Sequence, residues 1–354
     1  MQETARRSFL GALIVVGVVA AAIALWKLRI LIALLFLAFT IAAAMRPGVE
    51  TLHRRGVPRP AGIGLHYLGL AAVIGLLLYF VIPSAVDQID KAVPTSSSEL
   101  EREAAASTGI KERILRGVQD RLEELPSAEE LIDPALEITM TAFEIAIGII
   151  FTLACAAYWI FERKRAQDLV LSLAPAKHRR VISDTWNLVD LKLGAYVRGQ
   201  LLLVLLVATV LSVAFWIIGL PFWLLIGAFA GVVEIVPVIG PITAGALAIG
   251  VGLTVSWETA LAAGIVVTVV RLVEDYTIIP RVLGHAVGLT PLTVLVAVAA
   301  TVFLFGGFAV LLAIPFAAVV ATVVDVIVRN RDPAHGDVPA VIFAAKESET
   351  TKAG

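Results

Sequence analysis

Four charged side chains interrupt otherwise apolar stretches of this chain: Glu234, Arg271, Glu274 and Asp275. A charge at the centre of a membrane helix costs about 2.5–3.5 kcal/mol on insertion scales, so it is retained where it pairs, binds or relays an ion. Arg271 stands three residues before Glu274 and four before Asp275. That spacing puts the three side chains on one helical turn, within reach of an ion pair. Two readings of the turn stand side by side. In one it is a self-neutralised cluster near the membrane boundary. In the other, Glu274 or Asp275 binds a proton or a monovalent cation, and Arg271 is its switchable partner. Glu234 introduces a different feature, the run Glu234-Ile235-Val236-Pro237-Val238-Ile239-Gly240-Pro241. Proline lacks a backbone donor and clashes with the preceding turn. Pro237, Gly240 and Pro241 therefore break the helix, and in lipid such a break survives only when buried in protein or facing a wet cavity. Thr243 follows the break and offers a hydroxyl to a polar solute; its plainer reading is a helix residue bonded back to its own backbone. Gly306-Gly307 makes a second break further on.

The chemistry these residues do not suggest is equally informative. The histidines His53, His66, His178, His285 and His335 are scattered without metal-ligand spacing. There is no phosphate-binding loop, dinucleotide fingerprint or calcium loop. The expectation is a protein that is not an enzyme, with no metal and no cofactor. Transport by this chain alone would be downhill, ion-coupled or powered by a partner. Cys155 is the single cysteine, so no intrachain disulfide forms, and a lone thiol in an apolar run reads as a small core residue.

The elements that must position these groups follow from composition. The chain has 354 residues, 59% of them hydrophobic and 16% charged, with a mean hydropathy of +0.92. A soluble protein would carry about 25% charged residues. The class is an all-α polytopic membrane protein, its partner the lipid bilayer. The net charge of −1 suggests no nucleic-acid partner. Residues 1–83 read as N-terminal membrane helices. Arg6 and Arg7 before an apolar run resemble a signal peptide, but a second apolar stretch follows so closely that an uncut first membrane helix is expected. The two stretches, 8–26 and 30–45, read as a tight hairpin closed at Arg46-Pro47; one long tilted helix is the alternative. A third segment, 61–82, ends at Pro83. Residues 84–137 hold 13 acidic and 6 basic residues and read as a soluble, extracytoplasmic helical insertion. Residues 138–329 form the transport core, and 330–354 a disordered cytoplasmic tail. Within the core, residues 176–198 show helical apolar spacing at Ile182, Trp186, Val189 and Leu193, an amphipathic helix for the membrane surface.

Charge sets the expected orientation. Arg46, Arg54, Arg55 and Arg59 face a single acid, Glu50, and residues 162–198 hold eight Lys/Arg against four Asp/Glu. Both loops belong on the cytoplasmic side, with both termini. Two stretches, 221–258 and 291–326, open similarly, Gly219-Leu220-Pro221 and Gly288-Leu289-Thr290-Pro291, and each breaks after an apolar arm of about 15 residues, roughly 22 Å. That is short of the ~30 Å hydrocarbon core. They read as broken hairpins entering from opposite faces, the inverted arrangement in which transporters build substrate sites near the midplane.

Taken in order, Arg46-Pro47, Arg55-Gly56-Val57-Pro58-Arg59, Tyr196-Val197-Arg198-Gly199-Gln200, the Glu234–Pro241 run, Glu274-Asp275 with Ile279-Pro280-Arg281-Val282-Leu283-Gly284, the two Gly-Leu openings and Pro315 resemble the autoinducer-2 exporter family of bacterial membrane proteins. The resemblance covers residues 30–328. It implies a multi-pass permease of about eight membrane segments in the cytoplasmic membrane, assembled as a homo-oligomer, with a pentamer the expected state. It also implies export of autoinducer-2-like solutes or, as in other members, sodium or lithium/proton antiport. The candidate site is Glu234, Pro237, Gly240, Pro241, Thr243, Arg271, Glu274, Asp275, Gly306 and Gly307. Three functions are carried forward: a secondary exporter of a small polar solute, a sodium(lithium)/proton antiporter, and a non-transporting membrane scaffold.

Overall fold

The computed structural model describes residues 2–92, 132–236, 239–279, 290–336 and 338. Among these the fold is all-helical, with no strand. In chain order the helices are α1 (Gln2–Lys27), α2 (Arg29–Arg54), α3 (Arg59–Ala92), α4 (Ile132–Leu173), α5 (Arg179–Ile217), α6 (Trp223–Val233), α7 (Ile239–Leu253), α8 (Trp257–Val273), α9 (Pro291–Phe305) and α10 (Ala313–Ile327). A π-helical turn, Glu274–Ile278, extends α8, and a 3-10 turn, Gly307–Leu312, leads into α10. Six stretches are long and apolar enough to span a membrane: Leu10–Lys27, Arg29–Arg54, Arg59–Gln88, Thr139–Leu173, Ala176–Ile217 and Gly307–Ile327. The acidic stretch expected as a soluble insertion lies mostly outside the described residues, as does most of the expected tail.

Five boundaries differ from the sequence reading. Segments one and two do not turn back on each other. Leu28 alone separates α1 from α2, and its N–H donates to the Ala24 carbonyl while its own carbonyl accepts from Ile32. Helical bonding thus continues across Lys27, which is exposed, and Arg29, whose guanidinium lies over the Trp26 ring 4.3 Å from its centroid. Pro47 and Pro83 do not end their helices either; α2 continues to Arg54 and α3 to Ala92. A proline removes one hydrogen bond at a cost of about 3 kcal/mol, and burial of the next residues, Gly48 and Val49, offsets it in α2. Finally, the basic run at Arg163 leaves α4 unbroken to Leu173, and the expected amphipathic helix and fifth segment are one continuous α5 of 39 residues.

Helix α5 is the hub, packing against α2, α4, α6, α8 and α10. Its upper half forms the main apolar core, where Val207, Leu211 and Phe215 meet Ile226 and Ala230 of α6, Ala244 and Ala248 of α7, and Ala263 of α8. Small residues let these backbones approach, as is usual between membrane helices. A Cβ on Gly227 would run into Ser212 of α5, and one on Gly231 would meet the Val204 carbonyl. The turn into α6 uses Gly219 at φ +70° and then Phe222 at φ +56°. The latter is a conformation that L side chains resist, and the side-chain oxygen of Gln88 on α3 accepts from its N–H. Helix α8 starts where Ser256 Oγ accepts from Thr259 N–H at 3.1 Å. Helix α9 starts in the same way, with Thr290 Oγ1 accepting from Thr293 N–H at 3.3 Å and Pro291 in the first turn.

Candidate functional site

Helices α6 and α7 are the short arms on either side of the first break. With 11 and 15 residues they rise about 16 and 22 Å, each below the ~30 Å of a hydrocarbon core. They pack on each other, and the return arm is pressed against the outgoing one: a Cβ on Gly240 would fall on the Val233 carbonyl oxygen. Only glycine fits there. Glu234 caps the C-terminal end of α6, its N–H donating to the Ala230 carbonyl at 3.1 Å. Its own carbonyl accepts from Gln200 Nε2 of α5 at 3.3 Å, which ties the tip to the hub.

A carboxylate at a helix C-terminus faces the negative end of the helix dipole and calls for a cation beside it. Arg271, on the last turn of α8, supplies one. Its Nη1 lies 2.8 Å from Glu234 Oε1 and 3.4 Å from Glu274 Oε2, and its Nε and Nη2 reach Asp275 at 3.1 and 2.9 Å. One guanidinium therefore holds three carboxylates and joins the hairpin tip to α8. The environments differ. The Glu274 side chain is 2% exposed and Glu234 8%, against 30% for Arg271 and 42% for Asp275. Asp275 forms the outer, solvent-facing side of the cluster. Glu274 forms its floor, and Glu274 Oε1 is buried with no hydrogen-bond partner among the described residues. The i,i+3 and i,i+4 spacing alone would place both acids on the Arg271 turn. The switch to π-helical bonding from Glu274 onward rotates this turn, and such bulges recur at functional sites.

The remaining expected residues divide clearly. Thr243 is exposed, and its hydroxyl donates to the carbonyls of Ile239 and Gly240 at 3.0 and 2.8 Å, the back-bonded arrangement. Pro241 lies in the first turn of α7, half-buried. Pro237 lies outside the described residues, as do Pro280, Arg281, His285, Gly288 and Leu289. Gly306, at φ +97°, breaks α9 as expected. Gly306 and Gly307 are exposed, and their neighbours pack elsewhere: α9 and the 307–312 turn against α2, and α10 against α5. The Glu234–Arg271 cluster is thus built by the first hairpin, α5 and α8.

A second buried ion cluster has no counterpart in the sequence reading. Asp190 of α5, within the stretch read as an amphipathic helix, is 4% exposed at its side chain. Its Oδ2 is shared by Arg46 of α2 and by Arg163 of α4, the latter at 3.0 Å. Arg163 also donates to Asn187 Oδ1 at 2.7 Å. The Arg46-Pro47 motif and the basic run at 162–165 were the available signals, but charge counting assigned both to loops.

A tip made of two short packed helices, latched by one arginine to a neighbouring helix, is an architecture of membrane transporters. The sequence comparisons decide the family. The model of the AI-2E family transporter matches residues 13–329. The chain belongs to the AI-2E family of transporters. It is similar to "Putative transport protein YrrI" of Bacillus subtilis (strain 168), 25% identical over 309 residues, which covers 84% of this chain and 86% of that protein. It is also similar to "Putative transport protein MT0215" of Mycobacterium tuberculosis (strain CDC 1551 / Oshkosh), 25% identical over 337 residues, covering 92% and 91%. "Putative transport protein YueF" of Bacillus subtilis (strain 168) is 31% identical over 163 residues, 46% of this chain and 44% of that one. The AI-2E match covers five of the six membrane-span candidates in full, all but the first three residues of Leu10–Lys27, and both breaks, so this AI-2E protein is a multi-pass membrane transporter.

Proposed function

We propose that this AI-2E transporter is a secondary exporter of a small polar solute, of the autoinducer-2-like class, in the cytoplasmic membrane of a bacterium. It has its C-terminus in the cytoplasm and works as a homo-oligomer. The observation that carries the proposal is Arg271, which binds Glu234 at the hairpin tip and Glu274 and Asp275 on the adjoining helix. The tip can move only when this latch opens. A polar solute with hydroxyl or carbonyl groups competes for the guanidinium and for the carboxylates, and so couples its own binding to movement of the tip. Family membership and the two short arms support this reading.

Sodium(lithium)/proton antiport is the second reading, favoured by the excess of acid: three carboxylates meet one guanidinium. A proton or a small monovalent cation fits that deficit.

Efflux from proteoliposomes separates the two. For export, Arg271→Gln and Gly240→Leu are expected to abolish release of preloaded solute, with or without a sodium gradient. For antiport, Glu274→Gln abolishes pH-dependent sodium flux, while Asp275→Asn, on the exposed side, lowers it only a few-fold. No flux of any tested solute or ion through the unaltered protein would leave the scaffold reading standing instead, and unchanged flux in Gly240→Leu would remove the packed tip from the transport path.

A further inference from the structure

A cavity of about 630 Å³ lies between α2, α4, α5 and α10, away from the hairpin tip. Its size is that of a pocket for an organic ligand, ~300–1,000 Å³. Phe39, Trp159, Trp186, Val189, Val323 and Ile327 are among its walls, which are almost wholly apolar. Trp159 and Trp186 stack with ring centroids 6.1 Å apart, and Phe39 meets Trp159 edge-on at 5.1 Å. Both indole N–H groups are buried without a hydrogen-bond partner among the described residues. Leaving a buried donor unpaired costs about 1–3 kcal/mol. Both rings belong to the cavity wall, so a small rotation would turn either donor toward an acceptor bound in the cavity.

The rim identifies the occupant. Arg179 and Arg180 come directly before Val181 and Ile182, where α5 enters the cavity wall. Arg329 and Arg331 come two and four residues after Ile327, where α10 leaves it. All four are exposed. Asp184 pairs with Arg180 at 3.7 Å, and Asp325 with Arg329 and Arg331 at 2.8 and 3.2 Å; with exposed Asp332 next to Arg331, four cations stand against three anions. The apolar span Gly307–Ile327 ends at this cavity. An apolar pocket at the end of a span with a cationic rim has the polarity profile of a phospholipid: acyl chain inward, phosphate outward.

We propose that this cavity binds an anionic phospholipid, with an acyl chain between Phe39, Trp159 and Trp186 and its phosphate on the arginines at the ends of α5 and α10. A small rotation of either indole would let an ester carbonyl oxygen accept its N–H. Bound there, the lipid bridges α10 to the α2–α4–α5 scaffold.

Native mass spectrometry of the purified full-length protein, with dioleoylphosphatidylglycerol or dioleoylphosphatidylcholine added, tests this. The expected result is retention of one phosphatidylglycerol per chain at least ten-fold above phosphatidylcholine. Val323→Trp, which fills the cavity, should remove that retention. The exposed double variant Arg329→Gln/Arg331→Gln cannot fail through core packing, and should bring phosphatidylglycerol down to the phosphatidylcholine level. Equal retention of both lipids by the unaltered protein would overturn the proposal, as would full retention in the arginine variant. If Val323→Trp keeps its lipid but dissociates an oligomer, a second copy of the chain covers the cavity, and the lipid assignment falls.

Discussion

Replacing Arg271 by glutamine isolates the latch. The guanidinium lies 2.8 Å from Glu234 and 3.4 Å from Glu274, whose side chains are 8% and 2% exposed. Removing one partner of a buried ion pair typically costs about 3–5 kcal/mol, because the other charge is left without compensation. The pair with Asp275 is 42% exposed on the acid side and adds at most about 1 kcal/mol after solvent screening. Arg271→Gln is therefore expected to destabilise the folded protein by about 3–5 kcal/mol. The physical claim is that unpaired charge dominates this loss, and a charge-balanced variant tests it directly. Arg271→Gln combined with Glu234→Gln and Glu274→Gln leaves no buried charge at the site, and amides can hydrogen-bond with one another. The triple variant should recover to within about 2 kcal/mol of the original protein, in line with the small net worth of many buried ion pairs. Denaturant unfolding in detergent micelles, followed by tryptophan fluorescence, measures both. A loss below about 1 kcal/mol for Arg271→Gln would refute the latch. So would a triple variant no more stable than the single one.

Other perturbations reach separate parts of the fold. Asp190→Ala strands Arg46 and Arg163 and should cost about 3–5 kcal/mol in the same unfolding assay; Asp184→Ala, whose partner Arg180 is exposed, should cost less than about 1 kcal/mol. Thr243→Ala removes a hydroxyl bonded only to its own helix, so stability should stay within about 0.5 kcal/mol and efflux should be unchanged. Gly227→Val drives a side chain into Ser212 of α5 and is expected to lower the unfolding free energy by about 1–3 kcal/mol, with loss of efflux because α6 carries the tip.

Much of this protein can be read directly from residue order. Lipid offers no partner for open backbone, so long apolar runs must be helices, and the helical character of the candidate spans follows from composition. The breaks at 234–241 and at Gly306 follow from proline and glycine chemistry, and the Arg271–Glu274–Asp275 turn from helical periodicity. These are local properties, set within a few residues. Local rules failed where packing decides. Pro47 stays within its helix because burial of Gly48 and Val49 outweighs one lost hydrogen bond, and Pro83 likewise lies inside α3. Lys27 and Arg29 do not create a loop, because long side chains can extend away from an unbroken helix. Two facts needed the tertiary structure. One is that Glu234, 37 residues from Arg271, shares its guanidinium with Glu274. The other is that Asp190 joins Arg46, 144 residues away, to Arg163 in a buried cluster. No sequence period encodes these distances. Each contact arises because α5 packs on both sides at once, bringing α2 and α4 to one face and the α6–α8 unit to another, and only that packing determines which distant charges meet.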